Sequence, residues 1–267
     1  MRNLFRLTGP VGLLVAIGLM LGAPQAGAIW DAGWADNNAH PMVGVLFAND
    51  RAVLPPGNAV FCSGSLISEH EFLTAAHCTQ VLTQARISHY RVTFDEQLSL
   101  SPDFVVQAEH SVAVTGWATH PGFHTPPTAW NPGSNDVGVM HLDPTVDVDA
   151  TPVELPDVGF LDQQAAKNGL KGHEFLQVGY GLYSGFVTLG PSRRVSVTPF
   201  MALTSYALDQ FGGTTAGDSG GPHFFGGDYP NLEVATTSSG SAGGGWYSTS
   251  QRLDTQSVHD FLEPFTH

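Results

Sequence analysis

Thr215-Ala216-Gly217-Asp218-Ser219-Gly220-Gly221-Pro222 is the stretch of this 267-residue chain from which the rest can be read. Three glycines crowd one serine, and glycine enters left-handed backbone conformations without a Cβ penalty. A sharp turn of this kind exposes amide N–H groups, so those of Gly217 and Ser219 can converge on one oxygen and stabilise negative charge developing there. A polar Gly-Ser turn without chemistry is the plain alternative, but the string is longer and more specific than such a turn requires.

A serine hydroxyl is a weak nucleophile until a base takes its proton. Upstream lie two islands that supply one: Leu73-Thr74-Ala75-Ala76-His77-Cys78, and Asn135-Asp136-Val137-Gly138-Val139-Met140-His141-Leu142. Taken alone, His77 reads as a packed side chain among small residues. Followed by an aspartate at the head of an apolar strand and by the Ser219 string, it becomes the candidate base, with Asp136 as the carboxylate that orients it. Asp95, Asp103, Asp143 and Asp147 compete for that role and read as solvated loop charges. Asp136 alone runs directly into an apolar strand, and a histidine-orienting carboxylate needs that shelter from water.

The N-terminus speaks to the compartment. Arg2 and Arg6 precede an apolar run from Val11 to Ala23, which is followed by small residues ending in Ala26-Gly27-Ala28. A basic start, a short apolar stretch and an A-x-A site predict a secretory signal over residues 1–28 and a mature start at Ile29, whereas a retained span would need about 20 apolar residues. Removing that segment deletes two arginines and no acids, which takes the formal charge from −14 to −16. So acidic a chain is a poor partner for nucleic acid or anionic membranes. Cys62 and Cys78 are the only cysteines. In an exported chain, a pair this close in sequence suggests one disulfide, worth about 3 kcal/mol if unstrained, and two reduced core thiols are the other reading.

Strand-like runs recur at 42–47, 60–67, 90–94, 104–114, 137–142, 175–180, 193–200 and 232–237, separated by Gly, Pro, Asn and Asp. Many short strands without long helical periods predict an all-β barrel or sandwich. The one strong helical pattern is terminal, at Val258, Phe261, Leu262 and Phe265, with Asp254 or Thr255 as cap. Ser, Thr and Gly from Thr236 to Gly245 suggest an irregular loop. Prolines and acids between Asp143 and Asp157 suggest a linker, which divides the mature chain into residues 29–150 and 151–267, with a cleft between the halves as the place for a substrate.

Taken with Cys62-Ser63-Gly64-Ser65-Leu66-Ile67-Ser68, His120-Pro121-Gly122-Phe123 and Gly179-Tyr180-Gly181, the three islands resemble the trypsin and chymotrypsin family of serine proteases. The chain order His, Asp, Ser agrees, and it differs from that of subtilisins and α/β-hydrolases. The resemblance implies two antiparallel Greek-key β-barrels packed around a cleft, with a C-terminal α-helix. It implies His77 and Asp136 on the first barrel, Ser219 on the second, and a Cys62–Cys78 disulfide beside the histidine. It also implies that Asp218 pairs with the amino group of Ile29, which lies the family's usual interval before Pro41, although Trp30-Asp31-Ala32 departs from the usual start. The segment 124–134 is longer than the family's spacing and reads as an inserted loop.

By the same mapping Gly213, Ser238, Ser239, Gly240 and Gly245 line the specificity pocket. Gly213 stands where trypsin-like members carry an acid, and no Asp or Glu occurs from Ala235 to Leu253. A buried Lys or Arg would lack a partner there, so cleavage after apolar or small neutral residues is expected. Thr215 stands where the family's pocket disulfide would place a cysteine. No HExxH or Cys-His cluster appears, so neither a metal nor a cofactor is expected at the site, while acidic residues leave a loop-bound calcium open. The expected partners are protein or peptide substrates, met outside the cell or in a periplasm. A silent homologue serving as a secreted binding protein, and an esterase using the same triad, are the competing functions.

Overall fold

The computed structural model describes residues 33–48, 60–85, 89–100, 106–124, 134–183, 188–189, 192–212, 214–240 and 247–267. The expected signal segment, Ile29, Gly213, Gly245 and the body of the expected 124–134 insertion lie outside them.

Six strands close the first barrel: β1 (Val43–Ala48), β2 (Val60–Ser68), β3 (Glu71–Thr74), β4 (Tyr90–Thr93), β5 (Val112–Thr119) and β6 (Gly138–Leu142), in the order β1-β2-β3-β6-β5-β4. Every residue of β1 is buried. A single apolar cluster joins its Val43, Val45, Leu46 and Phe47 to Val178, Tyr180 and Val195 further along the chain. Close packing of this kind excludes water on both faces of the strand.

The second barrel holds β7 (Glu174–Gly179), β8 (Arg194–Leu203), β9 (Ala207–Phe211), β10 (Pro222–Gly226), β11 (Tyr229–Gly240) and β12 (Tyr247–Arg252). They run β8-β7-β10-β11-β12-β9, and the β8–β9 pairing closes the ring. The fold is therefore two closed antiparallel six-strand barrels, as expected. Beside an apolar cluster that includes Phe175, Leu208 and Val234, this barrel holds a buried polar network. His223, fully buried, meets Gln210 at 2.8 Å, Ser250 at 2.9 Å and Thr237 at 3.0 Å. Burial pushes the His223 pKa down to about 3, so the ring stays neutral and serves as a hydrogen-bonding strut.

Several expectations are corrected. The run 104–114 is not one strand, because residues 108–111 leave the ladder between the short strand Val106–Gln107 and β5. Thr236 to Gly240 belong to β11 and pair with β12, so the small polar residues there are strand and not loop. Strands β3, β9, β10 and β12 carry weak or mixed patterns, and they form because neighbours on both sides satisfy their backbones. Two helices were also missed, α1 (Ala76–Ala85) and α2 (Phe160–Ala166). The terminal helix α3 (Gln256–Leu262) is capped by Thr255, whose hydroxyl accepts from Val258 N. No helix among the described residues is long and apolar enough to cross a membrane.

The halves are tied by buried polar groups. A two-residue strand, Trp34–Ala35, pairs with β8, so the N-terminal segment crosses to the second barrel. Behind it lies Arg193, fully buried, donating to Asp36 at 2.8 Å, Val43 O at 2.9 Å and Phe94 O at 3.0 Å. Burial alone would raise the Asp36 pKa, but hydrogen bonds from His40 and the Arg193 guanidinium outweigh it and bring the group to about 2. Elsewhere Ser65 of β2 donates to Glu233 of β11, and burial pushes that carboxyl up to about 8 against hydrogen bonds from Ser65 and Thr236.

Candidate active site

His77 stands in the first turn of α1, just after Thr74 ends β3. Ala75 and Ala76 are fully buried, and side chains this small let the chain turn inward there. Asp136 follows Asn135, whose φ of 57° is a left-handed conformation that asparagine tolerates. Gly138 follows in β6, and a Cβ on it would come within 2.7 Å of Thr79 Cγ2. A glycine is thus required for α1 to lie so close to β6, and that closeness brings the imidazole to the carboxylate.

The Asp136 carboxylate is fully buried and meets three donors. His77 N donates to Oδ1 at 2.9 Å, His77 Nδ1 lies 2.9 Å from Oδ2, and Ser238 donates to Oδ2 at 2.6 Å. A carboxylate only accepts, so Nδ1 carries the proton and Nε2 is left as the basic nitrogen. Asp136 N in turn donates to Gln251 Oε1 at 3.1 Å. The ring keeps 19% of its side-chain exposure, as a base that must reach a substrate requires.

Ser219 lies in the turn after Thr214, with Gly217 at φ 100° and Gly220 at φ 82°. A Cβ on Gly220 would overlap Thr74 Oγ1 and approach Ala75 N to 2.8 Å. The nucleophile turn is thereby seated against the very residues that lead into His77. Ser63 N donates to Ser219 O at 2.8 Å, and Cys78 Sγ is 4.0 Å from the same oxygen. Cys62 and Cys78 form a disulfide with Cα atoms 6.4 Å apart, so their sulfurs, although close to His77, leave no thiolate for a metal.

Asp218 is also fully buried. Gly181 N donates to it at 2.8 Å and Thr215 N at 2.9 Å, while burial pushes its pKa up to about 6. Its expected partner, Ile29, lies outside the described residues. Among the expected pocket residues, Ser238 bonds Asp136, Ser239 has a buried hydroxyl without a partner among the described residues, and Gly240 lies against Thr214 Oγ1, where a Cβ would overlap it. Thr214 and Gln251 were not singled out in the sequence, and Ser63 stood there only within a family string, with no role of its own. Each is a polar residue in a strand or turn with no local pattern to mark it.

Two barrels, an imidazole–carboxylate pair on the first and a glycine-framed serine on the second define a two-barrel hydrolase architecture. The chain belongs to the trypsin family, whose model, described as Trypsin, matches residues 34–254. No match was found among curated protein sequences. In structure the chain is similar to HL collagenase, with a TM-score of 0.61 and 18% identity over 85% of this chain and 94% of that one. At that identity the likeness establishes the fold alone.

Proposed function

We propose that the protein is a secreted serine endopeptidase, with Ser219 as nucleophile, His77 as general base and Asp136 as the group that orients the base. The observation that carries this reading is the buried Asp136 carboxylate facing His77 Nδ1 at 2.9 Å, which leaves Nε2 free to accept a proton. As Ser219 Oγ bonds to the carbonyl carbon, its proton passes to His77 Nε2, and the carbonyl oxygen becomes an oxyanion held by the N–H groups of Gly217 and Ser219. Collapse breaks the C–N bond, and His77 returns the proton to the leaving amine. Water, deprotonated by the same imidazole, then hydrolyses the acyl-enzyme.

The division into residues 29–150 and 151–267 belongs to this reading, with His77 and Asp136 on the first half and Ser219 on the second. So does the pairing of Asp218 with the Ile29 amino group, which would give its buried carboxylate a charged partner. The neutral surroundings of Ser239 and Gly240 favour cleavage after apolar or small neutral residues. Because Thr214 closes on Gly240, the small end of that range fits best.

Labelling with a fluorophosphonate followed by peptide mapping tests the proposal. Modification at Ser219, abolished in Ser219→Ala, together with cleavage of peptide as well as ester substrates, is the expected result. An unmodified Ser219 would establish the silent homologue, and turnover of esters alone the esterase.

A further inference from the structure

We infer that Ser63, on the first barrel, is a positioning residue for the oxyanion donors on the second. The inference rests on the proposed roles of Gly217 and Ser219. All three polar groups of Ser63 are engaged, and its side chain is fully buried. Its N–H donates to Ser219 O at 2.8 Å, and its hydroxyl donates to Gly217 O at 2.8 Å while accepting from Tyr180 N at 2.9 Å. Its carbonyl accepts from Thr74 Oγ1 at 2.8 Å, at the end of the strand that leads into His77.

One serine therefore grips the nucleophile turn at both residues whose amides would hold the oxyanion. Gly217, at φ 100°, is the point where such a turn can flip, because glycine accepts either orientation of its peptide. Holding its carbonyl from behind fixes the rotation of the backbone on one side of Gly217. On the other side, a Cβ on Gly217 would lie 3.2 Å from Gly181 Cα and 3.3 Å from Tyr180 O, so the 180–181 turn backs the same residue. Ser63 joins that turn too, through Tyr180 N, beside the bond from Gly181 N to Asp218. The hydroxyl is matched to this place, since it offers one donor and accepts another, and alanine offers neither.

A group that only fixes oxyanion donors affects the transition state and leaves ground-state binding alone. In Ser63→Ala, kcat on a peptide substrate should fall about tenfold while KM stays within about twofold. Affinity for a peptide aldehyde, whose hemiacetal with Ser219 places an oxyanion in the same donors, should fall by a similar factor. Ser63→Cys, which keeps the shape with a weaker donor, should lie between the two, and it decides the question if Ser63→Ala does not fold. An unchanged kcat, a change confined to KM, or full aldehyde affinity in a folded variant would overturn the inference. If fluorophosphonate does not label Ser219 in the unsubstituted protein, the catalytic reading fails first and takes this inference with it.

Discussion

Ser238 Oγ lies 2.6 Å from Asp136 Oδ2, the same oxygen that faces His77 Nδ1 at 2.9 Å, so a residue of the second barrel completes the shell of a carboxylate carried by the first. Hydrogen bonds to charged groups contribute about 1.5–3 kcal/mol. In Ser238→Ala the carboxylate keeps its two bonds from His77 but is freer to turn, and kcat/KM should fall by roughly tenfold to a hundredfold. Steady-state kinetics beside a thermal melt would check it, and a variant as fast as the parent would show that this bond does nothing for the chemistry.

Asp36 and Arg193 form a buried ion pair whose removal from one side leaves the other charge stranded. Asp36→Asn should cost about 3–5 kcal/mol and lower Tm by roughly 10 °C. Because the folded pKa is depressed from 3.8 to about 2, the stabilisation is present above pH 4 and is lost as the pH falls from there toward 2. Acid titration of both proteins, followed by circular dichroism, should show the parent losing its advantage across that window.

Glu233 predicts the opposite slope. Its folded pKa is raised from 4.5 to about 8, so between those values the unfolded chain has released a proton that the folded one still holds. Stability attributable to this group therefore declines as the pH rises through the window, by at most about 1.4 kcal/mol per unit, and levels off above pH 8. Glu233→Gln removes the ionisation and keeps a polar group for Ser65 and Thr236. Its melting temperature relative to the parent should rise from pH 5 to pH 8, and parallel curves would contradict the assignment.

The Cys62–Cys78 bridge closes a short loop, with a sequence separation of 16. In the chain-entropy account such a loop is worth about 3 kcal/mol, so the Cys62→Ser/Cys78→Ser double variant should melt several degrees lower. Calorimetry of the two proteins without reductant is the direct comparison.

Residue order along the chain suffices to read the all-β class and the candidate His77, Asp136 and Ser219, and it suggests the cysteine pairing that the structure shows as a disulfide. Those features are local: a glycine-framed serine, a histidine next to a cysteine and an aspartate entering an apolar strand each declare themselves within a few residues. Tertiary structure decides the rest. Strands β9, β10 and β12 form with polar faces because the second barrel encloses its own hydrogen-bond network around His223. The resemblance reaches Ser238 as a pocket residue and quotes Ser63 within a family string, but the bonds that Ser63, Ser238 and Gln251 make are not marked in the chain, since those partners lie 154, 102 and 115 residues away and meet them only when the barrels dock. A hydroxyl or an amide has no characteristic spacing, and its role is set by whichever donor or acceptor the fold places within about 3 Å of it.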